Sequence, residues 1–193
     1  MGGKCNGTLD QLNRVLRTGP PRLIDRDEWP AERSFVVLSP QQAGGCPSAA
    51  AIDEFLAWAL AHYNVDTDRI YLSGLSCGAI GIASYLRVHV DTTIVAAVVM
   101  ISGDMRSAWS TQGCDLGRVA IWGIHGDADR NAGTLPDFTR LPMEGLLECV
   151  APAPRDARLN MLPGVGHSGR AWDDTYSGAN GLDIYTYLLD NHR

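Results

Sequence analysis

A short strand-like run, a tight turn and a helix-like segment follow one another around Ser76, and this feature constrains the fold most. Residues 69–72 are rich in β-branched and aromatic side chains, and apolar residues recur at helical spacing from 77 to 86. Gly74 and Gly78 flank the serine and remove side chains that would collide in a sharp reversal of the chain. The pattern predicts that Ser76 is exposed at the carboxyl end of a strand.

The rest of the chain alternates strand-like and helix-like segments. Further strands are predicted at 34–39, 94–102, 118–124 and 158–162, and helices at 48–63, 141–150 and 182–191. Such alternation indicates a single α/β domain over residues 1–193, with about five mostly parallel strands and helices on both faces. In a sheet of this kind, ligands bind beyond the carboxyl ends of the strands.

The composition of the chain limits the kinds of molecule that it is expected to bind. The chain has 193 residues, a net charge of -6 and no basic run, so we expect no nucleic-acid partner and no binding to an anionic membrane. The longest apolar runs, such as 94–101, are too short to cross a bilayer. Neutral or apolar small molecules are therefore the expected substrates. The compartment stays open: cytoplasmic for the sequence as written, extracellular if a signal segment precedes it.

The five cysteines do not show the paired spacing of a metal site, so we expect no zinc and no other metal. Cys114 precedes a predicted strand and Cys149 ends a predicted helix, which can bring the two together. Two interpretations remain at this point: a disulfide in an oxidising compartment, or two buried free thiols.

Two loops after later strands carry the residues that a nucleophilic serine requires. Asp127 and Asp129 follow the strand at 118–124, and His167 follows the strand at 158–162. A serine needs a base to accept its proton and an acid to orient that base, and these loops should meet at the sheet edge where Ser76 is exposed. The position of the two aspartates in the sequence does not show which of them lies within hydrogen-bonding distance of His167. The backbone N–H of Cys77, at the start of the helix, is the predicted donor to an oxyanion.

Three segments together resemble the α/β-hydrolase superfamily: Gly74-Leu-Ser-Cys-Gly78, His125-Gly-Asp-Ala-Asp129 and Pro163-Gly-Val-Gly-His167. They are most similar to small esterases of the dienelactone-hydrolase-like, phospholipase/carboxylesterase-like and polyhydroxybutyrate-depolymerase-like groups. The resemblance implies that Asp129 is the acid and that no cofactor is needed. His125 ends a strand and precedes a glycine, so we expect it to be a structural residue that packs against the acid loop or hydrogen-bonds to it.

The same resemblance implies a serine carboxylesterase that forms an acyl-enzyme on Ser76. The sequence has no long insertion that could act as a lid, and a small open site favours short-chain esters over lipids. Two alternatives remain open: an esterase acting on feruloyl esters or hydroxyalkanoate polyesters, and a truncated, non-catalytic relic or binding protein. Trp172 and Gln41 fall in loops on the catalytic side, where they are candidates to contact the substrate.

The beginning of the chain departs from the pattern of these relatives. They carry an upstream strand and a loop that supplies a second oxyanion N–H, and residues 1–3 resemble the tail of that loop. We therefore expect amino-terminal strands of the family pattern to be absent from the sequence: either the reading frame begins at an internal methionine, with the loss of two or three strands, or the chain is a natural minimal version that fills the gap in another way. A missing strand would leave a sheet edge exposed, for which a homo-oligomer contact is one remedy.

Overall fold

The computed structural model describes residues 6–30 and 32–193, and its centre is a parallel sheet of four strands. These are β1 (Tyr71–Leu75), β2 (Ala97–Ile101), β3 (Ala120–Gly126) and β4 (Ala157–Leu162), and they lie side by side in that order. Because every pair is parallel, all four carboxyl ends reach the same edge of the sheet. Leu75 lies beside Ile101, and Ile101 beside Ile124, so the loops after β1, β2 and β3 start at one level.

Within residues 6–30 and 32–193, seven α-helices and two 3₁₀ helices accompany the sheet. The α-helices are α1 (Gly19–Asp25), α2 (Ala49–His62), α3 (Cys77–His89), α4 (Arg106–Gln112), α5 (Asp137–Leu147), α6 (Gly169–Ser177) and α7 (Ile184–Asp190). The 3₁₀ helices are Leu9–Arg17 and Gly113–Arg118. Ser48 caps α2 as predicted, because its hydroxyl accepts a hydrogen bond from the N–H of Ala51 at 3.1 Å. None of the helices described is long and apolar enough to cross a membrane.

The sheet separates two apolar cores, and alternation along the strands assigns each side chain to one of them. On β2, Val98 and Met100 pack against α3, α4 and α5, whereas Val99 and Ile101 pack on the opposite face with α6 and α7. These side chains are completely buried. Because helices cover β2 on both faces, all of its side chains are buried and its sequence must be a continuous apolar run. The sequence of β2 has this run.

The prediction of a strand at 34–39 is wrong. This segment is extended but pairs with no strand of the described sheet, which has four strands rather than about five. The rings of Phe35 and Tyr185 lie 5.8 Å apart and those of Phe35 and Tyr71 lie 6.0 Å apart, so side-chain contacts hold the segment. An apolar cavity separates it from β1, and a strand forms only where another backbone lies within hydrogen-bonding distance.

Two disulfides connect the helical layer to the loops. Cys114 and Cys149 form a bond between the 3₁₀ helix Gly113–Arg118 and the end of α5, which settles the two interpretations in favour of pairing. Cys46 and Cys77 form the second bond, which the sequence analysis did not predict. The resemblance noted at residues 1–3 lies outside the described residues.

Candidate active site

Ser76 occupies a strained turn between β1 and α3. Its φ of 49° lies in the left-handed region, which non-glycine residues rarely adopt. Gly74 makes the turn possible, because a Cβ at this position would lie 2.5 Å from the backbone carbon of Gly78. Although Ser76 stands at the N-cap of α3, its hydroxyl makes no capping hydrogen bond. The hydroxyl is therefore not used in the helix cap and is available to other partners at the carboxyl end of β1.

His167 connects Ser76 to a buried carboxylate. Its Nε2 lies 2.9 Å from the hydroxyl oxygen of Ser76, and its Nδ1 lies 2.7 Å from Oδ2 of Asp129. The side chain of Asp129 is completely buried, and that of His167 is 19% exposed. Because a carboxylate accepts hydrogen bonds, Nδ1 donates to Asp129 and Nε2 is left to accept the proton of Ser76. The structure thus brings together three side chains that lie on three different loops.

Of the two candidate aspartates, Asp129 contacts His167. Its other oxygen, Oδ1, accepts a hydrogen bond of 2.8 Å from the N–H of Asn131, which fixes the carboxylate. Asp127 has a different contact, because its Oδ1 accepts from the N–H of Gly164 at 2.7 Å. Asp127 therefore joins the β3 loop to the β4 loop and is not in contact with the imidazole.

Several solved structures resemble this arrangement of sheet and helices. A thermostable esterase matches 100% of this chain with a TM-score of 0.61 and 17% identity. SOBER1 of Arabidopsis thaliana matches 74% of the chain with a TM-score of 0.53 and 16% identity. An acylaminoacyl peptidase of Pyrococcus horikoshii matches 74% of it with a TM-score of 0.52 and 10% identity. This protein has the α/β-hydrolase fold.

The similarity lies in structure and not in sequence. No model of a protein family matches the chain, and no curated protein is significantly similar to it. The α/β-hydrolase structures are also longer: the chain spans 53% of the thermostable esterase, 61% of SOBER1 and 27% of the peptidase. At these identities, the likeness establishes the fold alone.

At the end of β3, His125 supports the acid loop from the side opposite His167. Its side chain is completely buried at the end of β3, with Nε2 3.1 Å from Oδ2 of Asp129 and 2.9 Å from the carbonyl oxygen of Thr134. Its Nδ1 lies 2.8 Å from the hydroxyl of Thr139, whose one proton has two acceptors in reach, this nitrogen and the carbonyl oxygen of Gly103 at 3.2 Å. Burial lowers the pKa of His125 below its ordinary value, although the nearby Asp129 acts in the opposite direction. A neutral ring that donates from Nε2 fits these contacts.

Thr134 is a member of the site that sequence reasoning missed. Its hydroxyl lies 3.2 Å from Nδ1 of His167, and its carbonyl accepts from His125. The residue is 2% exposed. A threonine five positions after Asp129 has no sequence signal of its own, because only the folding of the loop brings it over the imidazole.

The loop carrying His167 packs tightly against the end of β3. A Cβ on Gly126 would lie 2.1 Å from the carbonyl oxygen of Val165, so only glycine permits this approach. The N–H of Ala128 then donates to that carbonyl at 3.1 Å. These contacts set the position of His167 relative to Asp129.

Cys77 begins α3 immediately after Ser76. Its sulfur is bonded to Cys46, so the loop at 41–47 is tied to the turn that holds the serine. At the first helical position a backbone N–H lacks a partner within its own helix, and the first turn of α3 carries no acidic side chain. The N–H of Cys77 thus has no acceptor within its own helix.

The two predicted substrate residues differ in their surroundings. Trp172 on α6 is half-buried, and its ring lies edge-on to His167 with 5.1 Å between the ring centroids. Gln41 donates from Nε2 to the carbonyl of Gln11 at 2.8 Å, a contact that holds the loop at 41–47 to the 3₁₀ helix Leu9–Arg17. Within the described ranges, no group of three or more His, Cys, Asp and Glu side chains is placed to hold a metal ion.

Proposed function

We propose that this chain is a serine hydrolase that cleaves short-chain carboxylic esters. The observation that carries the proposal is the hydrogen-bonded array of Ser76, His167 and Asp129 at the carboxyl edge of the sheet, with distances of 2.9 and 2.7 Å. Both distances lie within the range required for proton transfer between a nucleophile and its base.

In the proposed mechanism, Oγ of Ser76 attacks the carbonyl carbon of the ester while Nε2 of His167 accepts the hydroxyl proton. The N–H of Cys77 binds the oxyanion that forms, and the carboxylate of Asp129 stabilises the imidazolium. His167 then gives its proton to the leaving alcohol, and an acyl-enzyme remains on Ser76. Water, deprotonated by the same imidazole, attacks the acyl-enzyme, releases the acid and restores the serine.

Trp172 supports a preference for small substrates. Its edge-on contact with His167 places an indole beside the reacting atoms, where it would wall one side of the acyl or alcohol pocket. Gln41 would act from further away, by fixing the rim formed by the loop at 41–47. We therefore propose acetyl and butyryl esters as better substrates than octanoyl esters.

The test is hydrolysis of p-nitrophenyl acetate, butyrate and octanoate at mildly alkaline pH. Ser76→Ala and His167→Ala should each lower kcat by about a thousandfold or more, because the two groups act as a unit. Ser110→Ala is the matched control, since Ser110 is exposed on α4 and should retain full activity. Methyl ferulate and an amino-acid p-nitroanilide, assayed in parallel, test aryl-ester and peptidase activity.

A fluorophosphonate probe distinguishes an enzyme from a binding protein. Labelling that is confined to Ser76 and lost in Ser76→Ala supports the proposal even when none of the esters is a good substrate. Folded protein that neither reacts with the probe nor hydrolyses any of the esters would overturn it, and would favour a non-catalytic binding protein.

A further inference from the structure

The loop that follows Asp129 turns back over the imidazole of His167 and carries one inward side chain. Residues 130–133 and Leu135 are exposed, whereas Thr134 between them is 2% exposed. Burying a hydroxyl group is unfavourable unless the group has a hydrogen-bond partner. The hydroxyl of Thr134 has such a partner in Nδ1 of His167, at 3.2 Å. The loop therefore places one polar group beside the proposed base.

The backbone of the same loop fixes where Thr134 lies. Oδ1 of Asp129 accepts a hydrogen bond from the N–H of Asn131 at 2.8 Å, and the carbonyl of Asn131 accepts from the N–H of Thr134 at 2.9 Å. The carbonyl of Thr134 in turn accepts from Nε2 of the buried His125 at 2.9 Å. Because both backbone groups of Thr134 are bonded, its side chain is held against the imidazole of His167.

Four contacts join two imidazoles, one carboxylate and one threonine into a closed ring. Oδ2 of Asp129 lies 2.7 Å from Nδ1 of His167 and 3.1 Å from Nε2 of His125. Thr134 contacts the same two nitrogens, through its hydroxyl at 3.2 Å and its carbonyl at 2.9 Å. Each nitrogen therefore has an oxygen of Asp129 and an oxygen of Thr134 within hydrogen-bonding distance. A proton that two acceptors share in this way forms a three-centre hydrogen bond.

The protonation of the ring decides the direction of the bond to Thr134. Because Nδ1 of His167 donates to the carboxylate of Asp129, this nitrogen cannot also accept a proton from Thr134. The hydroxyl oxygen of Thr134 must therefore accept from the same N–H. The contact leaves the reacting side of the ring unobstructed, since Nε2 is the atom that faces Ser76.

We propose that Thr134 is a positioning residue: its hydroxyl shares the Nδ1 proton of His167 with Asp129 and so holds the imidazole at the angle at which Nε2 faces Ser76. A single hydrogen bond lets a ring swing about the contact, whereas a second acceptor on the same N–H restricts this movement. The inference rests on the proposed function, because it assigns Thr134 a part in the reaction of Ser76. Since Thr134 is too deeply buried to contact a substrate, its effect should fall on kcat rather than on KM.

Two variants separate the hydroxyl of Thr134 from its packing. Thr134→Val removes the hydroxyl and keeps the branched shape, whereas Thr134→Ser keeps the hydroxyl and removes a methyl group. Thr134→Val should lower kcat for p-nitrophenyl acetate by about tenfold with little change in KM, the loss expected for one hydrogen bond. Thr134→Ser should keep kcat within about threefold of the original chain. The opposite ranking, with the serine variant slower, would indicate a packing role and overturn the proposal.

Thr93→Val is the matched control. The hydroxyl of Thr93 also takes part in hydrogen bonds, with the hydroxyl of Tyr85 and the N–H of Val95, both at 3.0 Å. Thr93 precedes β2, so it lies at the opposite edge of the sheet, and its replacement should leave kcat unchanged. A tenfold loss in this control as well would attribute the effect to stability and contradict the proposal.

A double-mutant cycle tests whether the two oxygens act on one proton. Asp129→Asn should already reverse the tautomer of His167, so that Nδ1 no longer carries a proton to share. In that background, Thr134→Val should change kcat by less than about threefold, because the shared hydrogen bond is absent. A loss of about tenfold in both backgrounds would mean that the two residues act independently, which contradicts a shared proton.

Proton NMR of the imidazole groups tests the contact without a substrate. The Nδ1 proton of His167 is identified by its loss in His167→Ala, and the Nε2 proton of His125 by its loss in His125→Gln. Thr134→Val should shift the His167 signal, because one acceptor is removed, and leave the His125 signal in place, because the carbonyl of Thr134 remains. Thr134→Ser should restore the original His167 signal.

The NMR result distinguishes this inference from the proposed function. An unchanged His167 signal in Thr134→Val would overturn the role of Thr134, even in an active esterase. A shift of both imidazole signals would also overturn it, because it would mean that the whole loop had moved. A shift of the His167 signal alone, in a chain that hydrolyses none of the esters, would support the shared proton and count against the proposed function only.

Discussion

Ser76 combines backbone strain with a hydroxyl that faces a base. A non-glycine residue at a φ of 49° costs about 1–3 kcal/mol, and such conformations persist where the surrounding packing dictates them. Here the contact of Gly74 with the backbone of Gly78 and the hydrogen bond from the N–H of Ser76 to Ile101 hold the turn. The strain places the hydroxyl outside the helix, within 2.9 Å of His167.

The two aspartates of the acid loop offer a matched pair of variants. Asp129→Asn should lower kcat by about a thousandfold to ten-thousandfold, because an amide can present its NH₂ to Nδ1 and stabilise the wrong tautomer of His167. Asp127→Asn should keep most of the activity, since an amide oxygen can still accept from the N–H of Gly164. Steady-state kinetics on p-nitrophenyl acetate measures both.

The reverse ranking, with Asp127→Asn the more damaging variant, would contradict the role proposed for Asp129. A far-UV circular dichroism spectrum of each variant confirms that loss of activity is not loss of fold. Fluorophosphonate labelling provides a second readout, because its rate follows the nucleophilicity of Ser76.

At the scale of elements, the loop at 41–47 and the start of α3 act as one unit. The Cys46–Cys77 disulfide joins them directly beside Ser76, whereas the Cys114–Cys149 disulfide lies at the end of α5, away from the site. The bonds close loops of similar length, with sequence separations of 31 and 35 residues. By chain entropy, each should stabilise the folded state by about 3–4 kcal/mol.

Because the two disulfides close loops of similar length, removing each one in turn separates an effect on stability from an effect on activity. The double variant Cys46→Ser/Cys77→Ser should lower both Tm and kcat, because the turn that carries Ser76 and the N–H of Cys77 loses its tether. The double variant Cys114→Ser/Cys149→Ser should lower Tm by a similar amount, yet keep kcat at temperatures where it is folded. Thermal unfolding and ester hydrolysis test the pair, and equal kcat values in the two variants would argue against a role for the first disulfide at the site.

At the scale of the whole molecule, the parallel sheet separates two apolar cores, and Ser76, Asp129 and His167 lie together at its carboxyl edge. The free energy of unfolding also depends on groups at that edge, and His125 is the clearest case. Burial lowers its pKa from an ordinary value of 6.5, so the unfolded chain binds a proton that the folded chain does not. Stability should therefore be lost as pH falls below 6.5, until the pH reaches the lowered pKa of the folded state.

His125→Gln should flatten this dependence by up to about 1.4 kcal/mol per pH unit, the value for one proton. Urea unfolding of both proteins from mildly alkaline to acidic pH measures the difference. Asp129, Thr134, Thr139 and His167 surround the ring in both proteins, so their own effects cancel in the comparison to first order. Above neutral pH, the plots of unfolding free energy against pH should be parallel for the two proteins. If they are also parallel at acidic pH, His125 is not buried in its neutral form.

The sequence by itself determined much of the architecture, because strands and helices covered on one or two faces require characteristic apolar patterns. Continuous apolar runs located β2 and β3, and the helical spacing after Ser76 located α3. The order of Ser76, the acid loop and His167, each after a predicted strand, placed all three at one edge, since parallel strands share their carboxyl ends. The same patterns indicated α2 and its cap at Ser48.

Only the tertiary structure decided what depends on contacts between distant segments. Residues 34–39 have a strand-like sequence but pair with no strand of the described sheet, because an apolar cavity separates them from β1. The spacing of the sequence does not distinguish Asp129 from Asp127, and only the folded loops show that Asp129 contacts His167 whereas Asp127 contacts Gly164. Cys46 pairs with Cys77 across 31 residues, a meeting that no local pattern encodes. An apolar pattern in the sequence indicates which face of a helix or strand is buried. Which residues contact one another depends on distances between segments, and these distances are set only by the tertiary structure.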